Sequence, residues 1–307
     1  MNEKYKINLH IIEACNYHCK HCFAKFDSRQ ILSIDQWKII VNNLLNSIDV
    51  CEFNIAGGEP LLYKDLPELV QYIRQIGCKC SVISNGSLMT NTWIESYAKY
   101  FDTIGLSIDS LVPDTLISLG RADKNRSYVT IQRLAEICNL IKRYNQNCKI
   151  KLNTVVSRIN KNENLYSKLQ SLPIDRWKII KMRTFADEKN DNSYLAINHE
   201  EFSEFVKYNL NILTLADSNQ SYVCKIADLS VVIEEDLEGG YLIIDSNGCL
   251  IDNTRTSSHT IVADLTNEKC VNMLDRSNFN KDLYKSRYQA QELHEQFEET
   301  MDAKEKC

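Results

Sequence analysis

The chain has 307 residues, 44% hydrophobic and 25% charged, with a formal net charge of −5. Such a chain buries a sizeable core, either as one α/β barrel with appendages or as two small domains, and its acidic balance argues against binding polymeric nucleic acid. The opening MNEKYKINLH lacks the apolar run of a signal peptide, and no apolar stretch is long enough to cross a bilayer, so the protein is expected to be cytoplasmic and free of the membrane.

Strand patterns fall at Lys6–Ile12, Val50–Ala56, Lys79–Ser84, Thr103–Ile108, Lys149–Val155 and Arg176–Met182. Helical patterns lie between them. Ser33-Ile34-Asp35-Gln36 is a capping box opening a helix with apolar residues at Ile34, Trp37, Val41, Leu44, Leu45 and Ile48. A second helix starts near Asp65 and stops at Gly77, and others fit Thr92–Tyr100, Tyr128–Tyr144 and Asn162–Leu172. Alternating strands and helices imply parallel pairing through right-handed crossovers. Periodicity alone leaves an open sheet and a curled barrel both possible.

Polar residues favour the barrel. Asn8 with His10, Glu52 with Asn54, Ser107 with Asp109, Lys151 with Asn153 and Arg176 with Lys178 each sit two apart and face one way. The alternate residues Leu9, Phe53, Leu152 and Trp177 then face the helices. A parallel sheet covered on both sides would be apolar throughout, so one wet face suits the lumen of a partial barrel. Three lumen cations without carboxylate partners, Lys151, Arg176 and Lys178, call for an anionic ligand. The competing reading pairs them with Glu52 or Asp109 across the lumen.

Beyond Met182 the pattern weakens. A helix fits His199–Leu213, and Tyr241–Asp245 with Cys249–Asn253 flank the Asn-Gly signal of a hairpin. The predicted division is a barrel over 1–183 and an extension over 184–307 that completes the substrate site, with a charged tail from about 289.

Twelve cysteines in a reducing compartment point to metal ligands or small buried hydrophobes. Cys51, Cys78, Cys80, Cys138 and Cys148 lie in or beside apolar segments and fit packing. Cys15, Cys19 and Cys22 instead share one loop after the first strand. Three thiolates there can cap three irons of a four-iron cluster, leaving the fourth open to a chelating substrate. The alternative is a zinc site completed by His18 or His21.

The CxxxCxxC triplet, together with Ala56-Gly57-Gly58-Glu59-Pro60 at the end of the second strand, resembles the signature of the radical S-adenosylmethionine (SAM) superfamily. Its fold is a partial (β/α)6 barrel, here with a C-terminal extension containing a β-hairpin. His21 stands where that superfamily usually has an aromatic residue. The closer resemblance is to the viperin family, above all its prokaryotic members. It runs in order through Asn8-Leu9-His10, Cys15-Asn16-Tyr17-His18-Cys19, Cys22-Phe23, Ile83-Ser84-Asn85-Gly86-Ser87-Leu88 and Ser107-Ile108-Asp109-Ser110. It continues through Gly120-Arg121, Lys151-Leu152-Asn153, Arg176-Trp177-Lys178 and Tyr241-Leu242-Ile243-Ile244-Asp245.

This resemblance implies an enzyme converting a nucleoside triphosphate to its 3′-deoxy-3′,4′-didehydro form, an antiviral chain terminator. It would abstract the 4′-hydrogen and expel the 3′-hydroxyl. One 4Fe-4S cluster on Cys15, Cys19 and Cys22 and bound SAM are the implied cofactors. Gly57, Gly58, Glu59, Ser84, Asn85, Ser107 and Arg121 would surround SAM. Lys151, Arg176 and Lys178 would hold the triphosphate with Asn8, Asn54 and Asn153 nearby, and Tyr241 would be the acid. A flavodoxin- or ferredoxin-type electron donor and a monomer are also expected. For Tyr241 the residues alone favour a hairpin aromatic packed on the barrel.

Glu52 stands where animal viperins carry lysine, so base recognition can differ. The amphipathic N-terminal helix of the animal proteins and their C-terminal tryptophan have no counterpart in this sequence, as a prokaryotic relative would show. A radical SAM peptide-modifying enzyme would need closely spaced late cysteines, but Cys224, Cys249, Cys270 and Cys307 form no CxxC pair. A non-catalytic iron–sulfur module that binds nucleotide is the remaining rival, and the intact GGE and SNG stretches speak against it.

Overall fold

Six parallel strands lie side by side in chain order: β1 (Tyr5–His10), β2 (Val50–Ala56), β3 (Lys79–Ser84), β4 (Thr103–Ser107), β5 (Lys149–Val156) and β6 (Arg176–Lys181). The structure, a computed structural model, describes residues 4–25, 30–187, 190–211, 222–226, 228–235, 238–252, 260–267 and 272–285. Between the strands run α1 (Ile34–Ser47), α2 (Leu66–Gln75), α3 (Asn91–Tyr97), α4 (Pro113–Leu119), α5 (Ile131–Tyr144) and the single turn α6 (Tyr166–Leu169). The Ser33 capping box is present, its hydroxyl accepting from the Gln36 amide while the Gln36 side chain accepts from the Ser33 amide. The predicted 162–172 helix contracts to one turn because the Asn209 side chain takes the Leu165 and Tyr166 amides and fixes the start. Helix α4 went unrecognised in the sequence, though Pro113 opens it and left-handed Gly120 ends it.

The alternation of faces is as expected. Leu9, Phe53, Leu152 and Trp177 are each 0% exposed and join Trp37, Ile40, Val41 and Leu44 of α1 and Leu134, Ile137 and Ile141 of α5 in one core. Fully burying a side chain of this size contributes about 1.5–3 kcal/mol, so the outer layer holds the strands in place. Cys78, Cys80, Cys138 and Cys148 are buried free thiols, and Cys51 is half-buried. They pack.

After β6 come the two-stranded β7 (Ala186–Asp187) and β8 (Asn190–Asp191), then α7 (His199–Leu210), ended by left-handed Asn211. The later strands β9 (Tyr222–Ile226), β10 (Leu229–Glu234), β11 (Leu242–Ile244), β12 (Cys249–Ile251) and β13 (Ile261–Asp264) all enter the main sheet, and α8 (Met273–Arg276) follows. β10 pairs parallel with β6, and β11 pairs parallel with β1. Eight parallel strands, β11-β1-β2-β3-β4-β5-β6-β10, therefore form the wall, and the hairpin β11–β12 extends it around Asn247-Gly248. Chain from beyond residue 183 supplies both edges of this wall. The predicted tail from about 289 and Asn253 of the hairpin lie outside the described residues.

Candidate functional site

The cysteine loop is clamped from two sides. Residue 57 has φ +146°, and a Cβ there would lie 2.3 Å from the Ile12 carbonyl oxygen. A Cβ at Gly58 would lie 2.2 Å from the Glu13 carbonyl and 2.3 Å from that of Ala14. The Gly58 amide donates to Ile12 at 2.6 Å, and the Glu59 amide donates to Ala14 at 2.9 Å. Glycine is thus required here for close approach to the chain just before Cys15. On the other side, the amides of His18 and Lys20 donate to Gly120 and Leu119 at the end of α4.

A polar network joins the clamps to the strand ends. Glu59, 0% exposed, accepts from the Ser84 hydroxyl at 2.7 Å, the Asn85 amide at 2.8 Å and the Leu61 amide at 3.2 Å. Burial pushes its pKa up, against these hydrogen bonds. The Asn85 side chain donates to Asn16 at 2.9 Å and reaches Cys15 Sγ at 3.9 Å. Arg121 donates to Cys19 Sγ at 3.4 Å and to the carbonyl of Ser107, and pairs with Asp109 at 2.9 Å. Burial alone would raise the Asp109 pKa, but Arg121 and His21 outweigh it and bring it down to about 2. Of the seven residues predicted around SAM, Gly57, Gly58, Glu59, Asn85 and Arg121 touch the cysteine loop or the chain just before it, and Ser84 and Ser107 are joined to it through Glu59 and Arg121.

The three cysteines are near enough to feel one another. Burial and the neighbouring Cys19 push the Cys22 thiol up to about 11, and burial with Glu59 and Cys19 raises Cys15. Thiolates packed so closely need a cation, as a cluster would provide. His21 points its Nε2 at Asp109, 3.3 Å away. His18 is exposed, and among the described residues no three His, Cys, Asp or Glu converge as ligands of a single ion would.

The lumen carries the second half of the site. Lys151 is in register with Arg176, and Asn153 with Lys178, on adjacent parallel strands. Burial pulls the Lys151 pKa down to about 7, helped by Lys178 and Arg176. Asn8 and Asn54 bond to each other at 2.7 Å, and Ser81 donates to Asn54 at 2.9 Å and to Glu52 at 2.7 Å. Glu52 also pairs with Lys6 at 3.0 Å. Asn153, 8% exposed, has a buried Oδ1 with no protein hydrogen-bond partner. Such an oxygen is costly unless a ligand donates to it.

One expectation is corrected. Lys178 does have a carboxylate: Glu234 Oε2, 2.7 Å from its ammonium, from a residue that is 0% exposed. Sequence reading missed Glu234 because it lies on β10, outside the strands recognised. Asp109, one of the two partners considered, is instead taken by Arg121 and His21. Tyr241 lies just before β11 and packs against the small cluster of Ala24, Ile243, Cys249 and Ile251. Its hydroxyl nevertheless faces the lumen, accepting from Lys178 and donating to Glu234 at 2.7 Å.

Comparison with known proteins adds to this geometry. Residues 9–169 match the family model of the radical SAM superfamily. A Selenomonas ruminantium protein named S-adenosylmethionine-dependent nucleotide dehydratase is 37% identical over 287 residues, covering 92% of this chain and 98% of its own. A Danio rerio protein named S-adenosylmethionine-dependent nucleotide dehydratase RSAD2 is 28% identical over 241 residues, 75% of this chain and 65% of its own. Among solved structures, anSMEcpe with bound AdoMet and peptide superposes with a TM-score of 0.63 at 15% identity, over 93% of this chain and 82% of that one. Streptococcus suis SuiB gives 0.61 at 16% identity, over 91% and 66%. At such identities the likeness carries the fold and says nothing of the substrate.

Proposed function

The chain belongs to the radical SAM superfamily and, within it, to the viperin-type S-adenosylmethionine-dependent nucleotide dehydratases, and from that premise we propose that it dehydrates the ribose of a nucleoside triphosphate. The product is the 3′-deoxy-3′,4′-didehydro nucleotide. One observation carries the reading. The lumen that opens beside the cysteine loop is walled by Lys151, Arg176 and Lys178 and bordered by the Tyr241 hydroxyl.

Cys15, Cys19 and Cys22 would hold a 4Fe-4S cluster, and Gly57, Gly58, Glu59, Ser84, Asn85, Ser107 and Arg121 would seat SAM beside it. When bound, these cofactors supply a 5′-deoxyadenosyl radical that takes the C4′ hydrogen. The remaining work falls to the chain itself. Glu59 ties the end of β2 to the start of the Ser84-Asn85 turn, and Arg121 ties Cys19 to β4. Both act by fixing the loop. Lys151, Arg176 and Lys178 neutralise the triphosphate, through charge-assisted bonds of about 1.5–3 kcal/mol each. Asn153 offers its unpartnered oxygen to a hydroxyl or amino group of the nucleotide, with Asn8 and Asn54 close by. Tyr241 gives its proton to the departing 3′-oxygen as a general acid.

A flavodoxin- or ferredoxin-type protein would deliver the electrons. No helix among the described residues is long and apolar enough to cross a membrane. The test is release of 5′-deoxyadenosine by the reconstituted enzyme with and without each ribonucleoside triphosphate. At least one triphosphate should accelerate it. A rate unmoved by all of them would reject the substrate class.

A further inference from the structure

We propose that Glu234 is the positioning residue of the acid step, holding Tyr241 and Lys178 together in the lumen and keeping the phenol protonated among the surrounding cations. The inference rests on the reading of Tyr241 given above. Glu234 is the last residue of β10 and is 0% exposed. Its Oε2 receives both the Tyr241 hydroxyl and the Lys178 ammonium, each at 2.7 Å, while Lys178 also donates to the phenol oxygen. The three side chains thus close a ring of contacts. They come from three strands or strand ends: β6, β10 and the residue before β11.

Topology makes this ring consequential. β10 and β11 are the outer members of the eight-strand parallel run and are not bonded to each other. The Glu234–Tyr241 hydrogen bond spans them. Without the carboxylate, nothing in this ring ties the phenol to β10.

Charge gives the second half of the argument. The lumen carries Lys6 from β1, Glu52 from β2, Lys151 from β5, Arg176 and Lys178 from β6, and Glu234 from β10. Glu52 is engaged by Lys6 and Ser81, and Glu234 is a carboxylate in direct contact with the phenol. Nearby cations favour phenolate, and an adjacent carboxylate opposes it. An acid that ionised early would have no proton to give. In the step itself the C3′–O bond breaks with its electron pair on oxygen. The phenol proton turns that oxygen into water and leaves phenolate beside Lys178. The C3′–C4′ radical cation so formed takes one electron from the flavodoxin- or ferredoxin-type donor to become the alkene. Lys178 keeps Oε2 occupied while the phenol hydrogen turns to the substrate.

The test uses the full chain, anaerobically reconstituted, with SAM, dithionite and an equimolar mixture of ATP, CTP, GTP and UTP. The readout is didehydro nucleotide formed per 5′-deoxyadenosine released. A merely structural role would lower both together and leave that ratio alone. Glu234→Ala should lower it about ten-fold or more. Glu234→Gln keeps the shape and an acceptor but not the charge. Its ratio should stay near wild type at about pH 6.5 and fall toward pH 9, where the wild-type ratio stays flat. Should the alanine variant fail to hold a cluster, the glutamine profile decides. Both variants at the wild-type ratio throughout, with Tyr241→Phe impaired, would overturn this inference alone. Tyr241→Phe at the wild-type ratio would instead remove the reading beneath it.

Discussion

Gly120 and His18 lie so close that a Cβ on Gly120 would sit 2.2 Å from the His18 carbonyl oxygen, and the His18 amide donates to Gly120 at 3.1 Å. The end of α4 is therefore the seat on which the middle of the cysteine loop rests. Gly120 also has φ +75°, which non-glycine residues adopt at a cost of about 1 kcal/mol.

Gly120→Ala should accordingly lose stability and also iron. Gly77 is the control, since it has φ +84° but a Cβ added there would meet nothing within 4 Å. Gly77→Ala should cost about 1 kcal/mol in urea unfolding and leave iron content unchanged. Gly120→Ala should cost more and bind clearly less iron per chain. Equal iron in both variants would show that the α4 seat does not position the loop.

The cysteines divide in the same experiment. Replacing Cys15, Cys19 and Cys22 by alanine should abolish the four-iron absorbance after reconstitution. Cys138→Ala should keep it, because that thiol is buried among Leu134, Ile137 and Ile141 on the outer layer. Its cost should appear as stability, since a small core truncation leaves a cavity. Iron uptake by the triple variant equal to wild type would move the cluster elsewhere.

Lys151 sets a pH dependence. Its pKa, near 10.5 when unperturbed, is pulled to about 7 by burial and by Lys178 and Arg176. A bound polyphosphate favours the charged form and raises that value again. Binding therefore takes up a proton above about pH 7, and affinity is full below it and falls as pH rises toward 9. Titration calorimetry in buffers of different ionisation enthalpy should detect the uptake near pH 8. Lys151→Met should abolish most of it. Identical uptake in that variant would place the titrating group elsewhere.

Much of this was legible in the sequence for physical reasons. Thiolates at 15, 19 and 22 can share a loop only if it turns tightly, and polar residues two apart on strands mark a wet face whatever the fold's details. The Gly57-Gly58 pair was legible as part of a signature, but not its contact with the backbone of Ile12, Glu13 and Ala14 just before Cys15. Arg121 was legible only by resemblance, because nothing local says that a residue after a helix reaches Cys19 and Asp109. Glu234 was not legible at all. Leu229–Glu234 is buried on both faces, so it shows no alternation, and a short apolar run ending in acids carries no clear period. Tyr241 was legible as an aromatic at a hairpin, but its hydroxyl's partners depend on where β10 and β11 enter the sheet.

The central claim is that the lumen presents the C4′ hydrogen of a nucleoside triphosphate to the radical and the 3′-oxygen to Tyr241. It is tested most directly with a mixture of the four ribonucleoside triphosphates deuterated at C4′, given to wild type and to Tyr241→Phe. Wild type should move deuterium into 5′-deoxyadenosine and form the didehydro nucleotide. Tyr241→Phe should still move deuterium, while its didehydro product falls by about a hundred-fold, the usual scale of general acid catalysis. Deuterium-free 5′-deoxyadenosine from the wild type, released at a rate indifferent to the triphosphates, would contradict the account.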